Sequence, residues 1–307
     1  MADSVHYAIS PLTDRKHPNL HVLVESCVER VLFEDKRACA QDITRTIKAR
    51  KMAIISSGTF GAPAILERSG IGDPEILKGA GVPVVAEVPG VGRNYQDHYT
   101  MMYSYKSSLA PDETLDGILN GNFNIGELIS KNDKIIGWNA IDATCKLRPS
   151  DADIAALGPK FQGVWDKEYQ NNLNKPLAMM SLVDRWAYKM QREIARRMET
   201  YRETYEPLPV DVKDIEYTAE DDVAIEERIR ENLATTWHSL GTCKMTSLKK
   251  LGVVNACLNV YGVTGLKIAD LSIPSSNVAA NTNNTAMVIG EKAADIFIAE
   301  LGLLESN

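Results

Sequence analysis

Residues 52–57, MAIISS, form a short apolar run that stops at Gly58, and directly beyond it the hydrophobic spacing changes. Such a run, bounded by glycine, predicts a strand in the interior of a sheet. Pro63, Ile65, Leu66 and Ile71 follow at helical spacing and predict a helix of about two turns closing on Ser69-Gly70. A strand that delivers the chain straight into a helix points to an α/β or mixed α+β fold. Segment 74–79 predicts a second short helix, and VPVVAEVPGVGRNYQDH (82–98) predicts a strand followed by a glycine turn. In that turn Gly90-Val91-Gly92 has the opening spacing of a dinucleotide-binding loop, but Tyr95 occupies the third glycine's place and no helical pattern follows.

Upstream, HVLVESCVERVLFEDKRACAQ (21–41) alternates apolar and polar residues around Glu34-Asp35-Lys36, which predicts two strands of a hairpin or meander. Residues 99–185 are less regular and predict loops, short helices and one or two strands. In WAYKMQREIARRMETY (186–201), Trp186, Met190, Ile194, Met198 and Tyr201 share a helical face whose expected role is core packing. Thr218 is placed to cap a further helix carrying Ile225, Ile229 and Leu233 inward. The tail TAMVIGEKAADIFIAELG (285–302) predicts a helix that is apolar on most faces and therefore well buried.

A net charge of -7 without any basic stripe argues against a nucleic-acid partner. Cys27, Cys39, Cys145, Cys243 and Cys257 are scattered, with no Cys-x-x-Cys pair, so a reduced intracellular protein without a metal site is expected. The first twenty residues lack a signal peptide's apolar core, and no stretch of about 18 apolar residues could span a bilayer. The protein is read as soluble, with no membrane partner. Glu305-Ser306-Asn307 is not a Ser-Lys-Leu address, so a cytoplasmic or peroxisomal location is expected with no evident targeting signal.

GTFGAPAILERSGIG (58–72), PGVGRNYQDH (89–98) and the stretch from TTWHSLGTCKM (235–245) through NVYGVTGLKIADLSIPSSNVAANTNNTAMVIGEKAADI (259–296) together resemble the glucose-methanol-choline (GMC) family of flavin oxidoreductases. Ala62 departs from the family's usual Ser or Thr, and Tyr95 from its Leu. DIEYTAEDD (214–222) and TTWHSLGTC are most similar to the fungal alcohol (methanol) oxidases of that family. The family's opening strand, Gly-x-Gly-x-x-Gly turn and helix, whose amides hold the pyrophosphate of FAD, have no counterpart in the sequence. The resemblance therefore implies an incomplete FAD-binding domain, formed by residues 1–98 and 216–307, and a reduced substrate-binding region at 99–215. Exposed apolar surface is expected where the absent βαβ unit would pack.

The resemblance implies hydride transfer from a small primary alcohol to FAD, with molecular oxygen as acceptor. His238 matches the catalytic histidine, a base whose pKa lies near working pH. Asn281 matches the second polar residue, which would hold the substrate oxygen. The implied cofactor contacts are Val28, whose backbone would face the adenine, Asn94 near the isoalloxazine, Asp270 and Leu271 at the pyrophosphate and ribitol, and Thr282 with Asn281 at the ring. Blander roles stand beside these: Asp270 as a turn former, His238 as a satisfied core or surface residue, and His98 as a structural residue paired with a carboxylate. A catalytically silent remnant, a half-enzyme needing a separate amino-terminal polypeptide, a homo-oligomer, and a lyase on the same scaffold remain open alternatives.

Overall fold

A computed structural model describes residues 20–34, 37–39, 46–103, 105–114, 117, 120–137, 146–173, 177–179, 185–204 and 218–303. The chain divides into two units, Met1–His98 with Trp237–Asn307, and Tyr99–Thr236. The helix Ala219–Asn232 thus groups with the central unit, whereas the sequence placed residues from 216 onward with the discontinuous one.

In the discontinuous unit, strand Ala53–Ile55 pairs in parallel with Leu266–Ile268, Ala53 opposite Leu266 and Ile55 opposite Ile268. Leu266, Lys267 and Ile268 are all buried, and so is Ile55. Ile54, however, is 46% exposed, so the MAIISS run is not covered on both faces as expected. Successive side chains of a strand point to opposite faces, so Ile54 faces away from Ile55 and the core it joins.

The strand leads into helix Gly58–Arg68, which buries Thr59, Ala62, Pro63, Ile65 and Leu66. It ends at Ser69, whose amide bonds to the carbonyls of Ile65 and Leu66. At Gly70 φ is +80°, and a Cβ there would lie 2.3 Å from the Pro83 carbonyl oxygen, so glycine is required for the chain to turn so close to 83–85. The turn sets Ile71–Gly72 parallel to Ala86–Glu87. Between them lies helix Pro74–Gly79, whose cap Asp73 accepts from the Glu75 amide at 3.0 Å. The core of the unit gathers Leu66, Ile71, Val88, Val253, Val254, Leu266 and Ile268.

The predicted hairpin is present but short. Leu32–Glu34 pairs antiparallel with Arg37–Cys39, and the alternating residues 21–31 form no strand. The C-terminal helix Thr282–Glu300 corrects a second expectation. Only Thr282 and Ala293 are fully buried, Ile289, Ile296 and Phe297 pack partly against the core, and Val288 is 66% exposed. Apolar composition alone does not bury a helix when one face of it meets the sheet layer.

The central unit contains short antiparallel pairs, among them Tyr105–Ser107 with Tyr201–Thr204 and Lys146–Leu147 with Ala178–Met179. Helix Arg185–Arg196 turns a different face inward from the one its apolar stripe predicts: Tyr188, Arg192 and Ala195 are buried, while Ile194 and Met198 are exposed. Tyr188 packs on Tyr103 with the rings tilted and their centroids 4.6 Å apart, and also on Ile225, and this aromatic cluster outweighs the Met and Ile positions. Trp186 carries a side chain outside the described residues. Helix Ala219–Asn232 starts as predicted, with a capping box between Thr218 and Asp221, and Ile225 is fully buried. Leu233 is exposed because the helix ends before it and the chain turns out to an extended conformation there. Among the described residues no helix is long and apolar enough to cross a membrane.

Candidate active site

Three segments far apart in sequence meet in the discontinuous unit: 90–98, 237–245 and 270–278. Leu240 and Gln96 exchange both backbone hydrogen bonds, at 2.9 and 3.0 Å. Gly241, Cys243 and Met245 then donate in turn to the carbonyls of Leu271, Ser272 and Ile273. The Gln96 side chain closes the triangle, its Nε2 donating to Ser275 O and its Oε1 accepting from Asn277 N.

Helix Gly58–Arg68 is tied in as well. Pro63 has no N–H to give the Thr59 carbonyl, and that oxygen instead accepts from Thr242 Oγ1 at 2.6 Å. Thr59 Oγ1 donates to Ser239 O at 2.7 Å. Asp270 accepts from Gly58 N at 2.9 Å with one carboxylate oxygen and from Ser272 N at 2.7 Å with the other. A carboxylate at the first amide of a helix both caps it and complements its dipole.

His238 sits half-buried on this frame, directly after Trp237, which is 81% exposed at φ +57°. A bulky residue in the left-handed region is strained, and such strain concentrates where a neighbouring side chain must be aimed. The His238 amide donates to Asp97 Oδ1 at 2.9 Å, and the His98 amide donates to the same oxygen at 2.7 Å. Asp97 Oδ2 accepts from Tyr95 Oη at 3.1 Å and from Ser239 Oγ at 3.3 Å. The rings of His98 and His238 meet edge to face, their Nδ1 atoms 3.0 Å apart. Burial first, and then the neighbouring His98 imidazole, hold the His238 pKa below its ordinary value, with Asp97 pulling it back up. A neutral imidazole is the form able to accept a proton.

Of the residues singled out in the sequence, hydrogen bonds bring Asn94 and Leu271 to the His238 segment, while Asp270 bonds to Gly58 and to Ser272 beside it. Asn94, at φ +60°, reaches Gly241 O and Ser275 O with Nδ2, each at 3.4 Å. Asn281 is the exposed N-cap of helix Thr282–Glu300 and makes no side-chain bond to that helix, while Thr282 is buried. Val28 is exposed in the extended segment before the hairpin. Sequence reasoning did not find the imidazole pair or the role of Asp97. The signal was the Asp-His ending of one motif and the His-Ser of another, which only strand pairing between Gln96 and Leu240 places side by side. Cys243 is fully buried, and burial pushes its thiol up to about 12, which removes it as a nucleophile.

These features define a class: a discontinuous α/β scaffold whose paired segments present a half-buried histidine with a lowered pKa, its main chain held by a carboxylate. The chain belongs to the GMC oxidoreductase family, whose amino- and carboxyl-terminal models match residues 4–100 and 173–290. An alcohol oxidase of Candida boidinii is 29% identical to it over 438 aligned positions, covering 98% of this chain and 66% of that protein. An oxygen-dependent choline dehydrogenase of Cronobacter sakazakii is 26% identical, covering 92% of this chain and 58% of that protein. In fold the chain is similar to a solved FAD-dependent oxidoreductase of Chaetomium thermophilum, with a TM-score of 0.72, 22% identity, and coverage of 97% of this chain and 64% of that one. The alignment with the alcohol oxidase runs over 438 positions against a chain of 307 residues, so that relative carries segments between the matched stretches that have no counterpart here.

Proposed function

We propose that this chain is an FAD-dependent oxidoreductase acting on the CH–OH group of a small primary alcohol, with His238 as the base and molecular oxygen as the final acceptor. The observation that carries this reading is the half-buried, depressed-pKa imidazole of His238, held from behind by Asp97 and His98. The names of the alcohol oxidase and choline dehydrogenase relatives support an alcohol as the substrate class.

The ring end of a flavin fits the residues present. Helix Thr282–Glu300 starts with no acidic residue in its first turn and no side-chain cap, so its first amides are left to complement an electron-rich edge. Asn281, Thr282 and Asn94 would hold the ring, Leu271 and Asp270 the ribityl and pyrophosphate portion, and Val28 the adenine. The flavin, when bound, supplies the hydride acceptor and the electron chemistry.

The chain's own residues would do the rest. His238 takes the hydroxyl proton, Asn281 holds the substrate oxygen by its carboxamide, and the protonated His238 then offers positive charge where anionic oxygen develops. The proton transfer would contribute roughly 10²- to 10⁴-fold.

A half-enzyme that needs a second polypeptide is the alternative, favoured by the relatives' unmatched segments. Flavin absorbance of the purified protein, with peroxide release from methanol, ethanol and benzyl alcohol, separates the two. A flavin band with peroxide supports the oxidase, and protein that takes up no added FAD and yields no peroxide overturns it for the chain on its own.

A further inference from the structure

Two neutral imidazoles whose Nδ1 atoms approach to 3.0 Å must share a single hydrogen. Two N–H groups would point at each other, and two bare nitrogens would oppose their lone pairs. The hydrogen therefore belongs to one ring and is accepted by the other, and its owner decides the state of the far nitrogen, Nε2, of each ring. If His98 owns it, neutral His238 keeps its proton on Nε2 and cannot accept another there. If His238 owns it, Nε2 of His238 is bare.

We propose that His98 is a positioning residue for His238: by accepting the Nδ1 hydrogen it leaves Nε2 of His238 open as a base. The proposal rests on the alcohol-oxidation reading. In the step, the alcohol's proton binds Nε2 of His238 while the Nδ1–H stays donated to His98, and the same Nε2 proton later leaves to the reduced oxygen. One proton enters and one leaves, and no electron moves between the rings.

The surroundings suit this division. Asp97 accepts the backbone amides of both histidines on one oxygen, which fixes the two main chains relative to each other and places a single negative charge beside both rings. Its other oxygen is held by the Tyr95 phenol and the Ser239 hydroxyl, so the carboxylate is braced from both of the paired segments. Asp97 and His98 both act on His238, the first raising its pKa and the second lowering it. Edge-to-face packing of the rings at 5.2 Å would by itself confer stability and nothing more.

The test needs no bound flavin. The protein has five histidines, so ¹⁵N-labelled imidazoles can be assigned by single substitution and titrated by NMR. In the unsubstituted protein His238 should carry its hydrogen on Nδ1 and titrate below 6.5. In His98→Leu the tautomer preference should be lost and the midpoint should rise, because the removed ring is one of the influences that lower it. His98→Asn, which keeps an acceptor at the Nδ1 position, should preserve the tautomer, and it serves if His98→Leu fails to fold. With FAD and alcohol, kcat should fall about 10²-fold in His98→Leu, the lower end of what a correctly protonated base contributes, with little change in KM.

An unchanged His238 tautomer and midpoint in His98→Leu overturns the proposal. Coupled NMR behaviour in a protein that oxidises no alcohol supports the imidazole pairing while sinking the alcohol reading. An active enzyme whose kcat and pH profile are untouched by His98→Leu does the reverse.

Discussion

The backbone amide of His238 donates to Asp97 Oδ1 at 2.9 Å, across 141 residues of sequence. The negative charge of Asp97 raises the His238 pKa against burial and His98, which both lower it. Asp97→Asn keeps an amide acceptor but removes the charge, so the lowering influences stand unopposed. The acidic limb of kcat/KM should move to lower pH, because the neutral, base-competent imidazole persists further into acid. The sign for folding is the same: a histidine with a depressed folded pKa favours the native state fully above its unfolded value near 6.5, and that contribution is lost as pH falls through the folded pKa. A limb that moves upward in Asp97→Asn would contradict the assignment.

His238→Ala should reduce alcohol-dependent kcat/KM by roughly 10²- to 10⁴-fold while the protein keeps its flavin absorbance, since His238 is assigned to proton transfer and not to holding the cofactor. Anaerobic flavin reduction in a stopped-flow instrument reads the loss directly.

Gly241→Ala should destabilise the site. Gly241 has φ +91°, and a Cβ there would lie 2.7 Å from Asn94 O and 3.0 Å from Asn94 Nδ2. The left-handed conformation alone costs a non-glycine residue about 1–2 kcal/mol, and displacement of Asn94 adds to it. Urea unfolding should show the loss, accompanied by weaker FAD retention.

Thr242→Val should cost about 1–3 kcal/mol, because the Thr59 carbonyl that it abandons cannot turn to the proline at position 63 for a hydrogen bond. Pro63→Ala introduces the missing amide, so the double variant should lose less than Thr242→Val alone. A double-mutant cycle checks the coupling, and additive losses would refute it.

Lys267 is 1% exposed, and its Nζ donates to Cys257 O, Asn259 Oδ1 and Glu300 Oε2 at 2.9, 2.8 and 2.6 Å. Lys267→Met should destabilise by about 2–3 kcal/mol, since buried acceptors lose their donor. Glu300→Gln should cost less than about 1 kcal/mol, because the Glu300 side chain is 46% exposed and its charge is screened. Chemical denaturation of both variants compares the two.

Local signals in the sequence were reliable where one short segment sets its own conformation. The strand at 53–55, the helix that follows it, the proline-initiated helix Pro74–Gly79 and the Thr218 cap all appear where spacing and end residues put them. The same signals erred where burial depends on a neighbour. Val288 and Ile54 are apolar and exposed, and Arg192 is charged and buried, because the face that turns inward is chosen by what packs against it.

The candidate site divides in the same way. The motif around His238 and its kinship to the 90–98 and 270–282 stretches were legible in residue order alone, since each motif is contiguous. The proximity of His98 to His238, the bracing of both by Asp97 and the lowered basicity that burial and His98 impose were decided by tertiary structure. Those properties depend on through-space distance, desolvation and strand register between segments some 140 residues apart, and no local pattern of side chains encodes them.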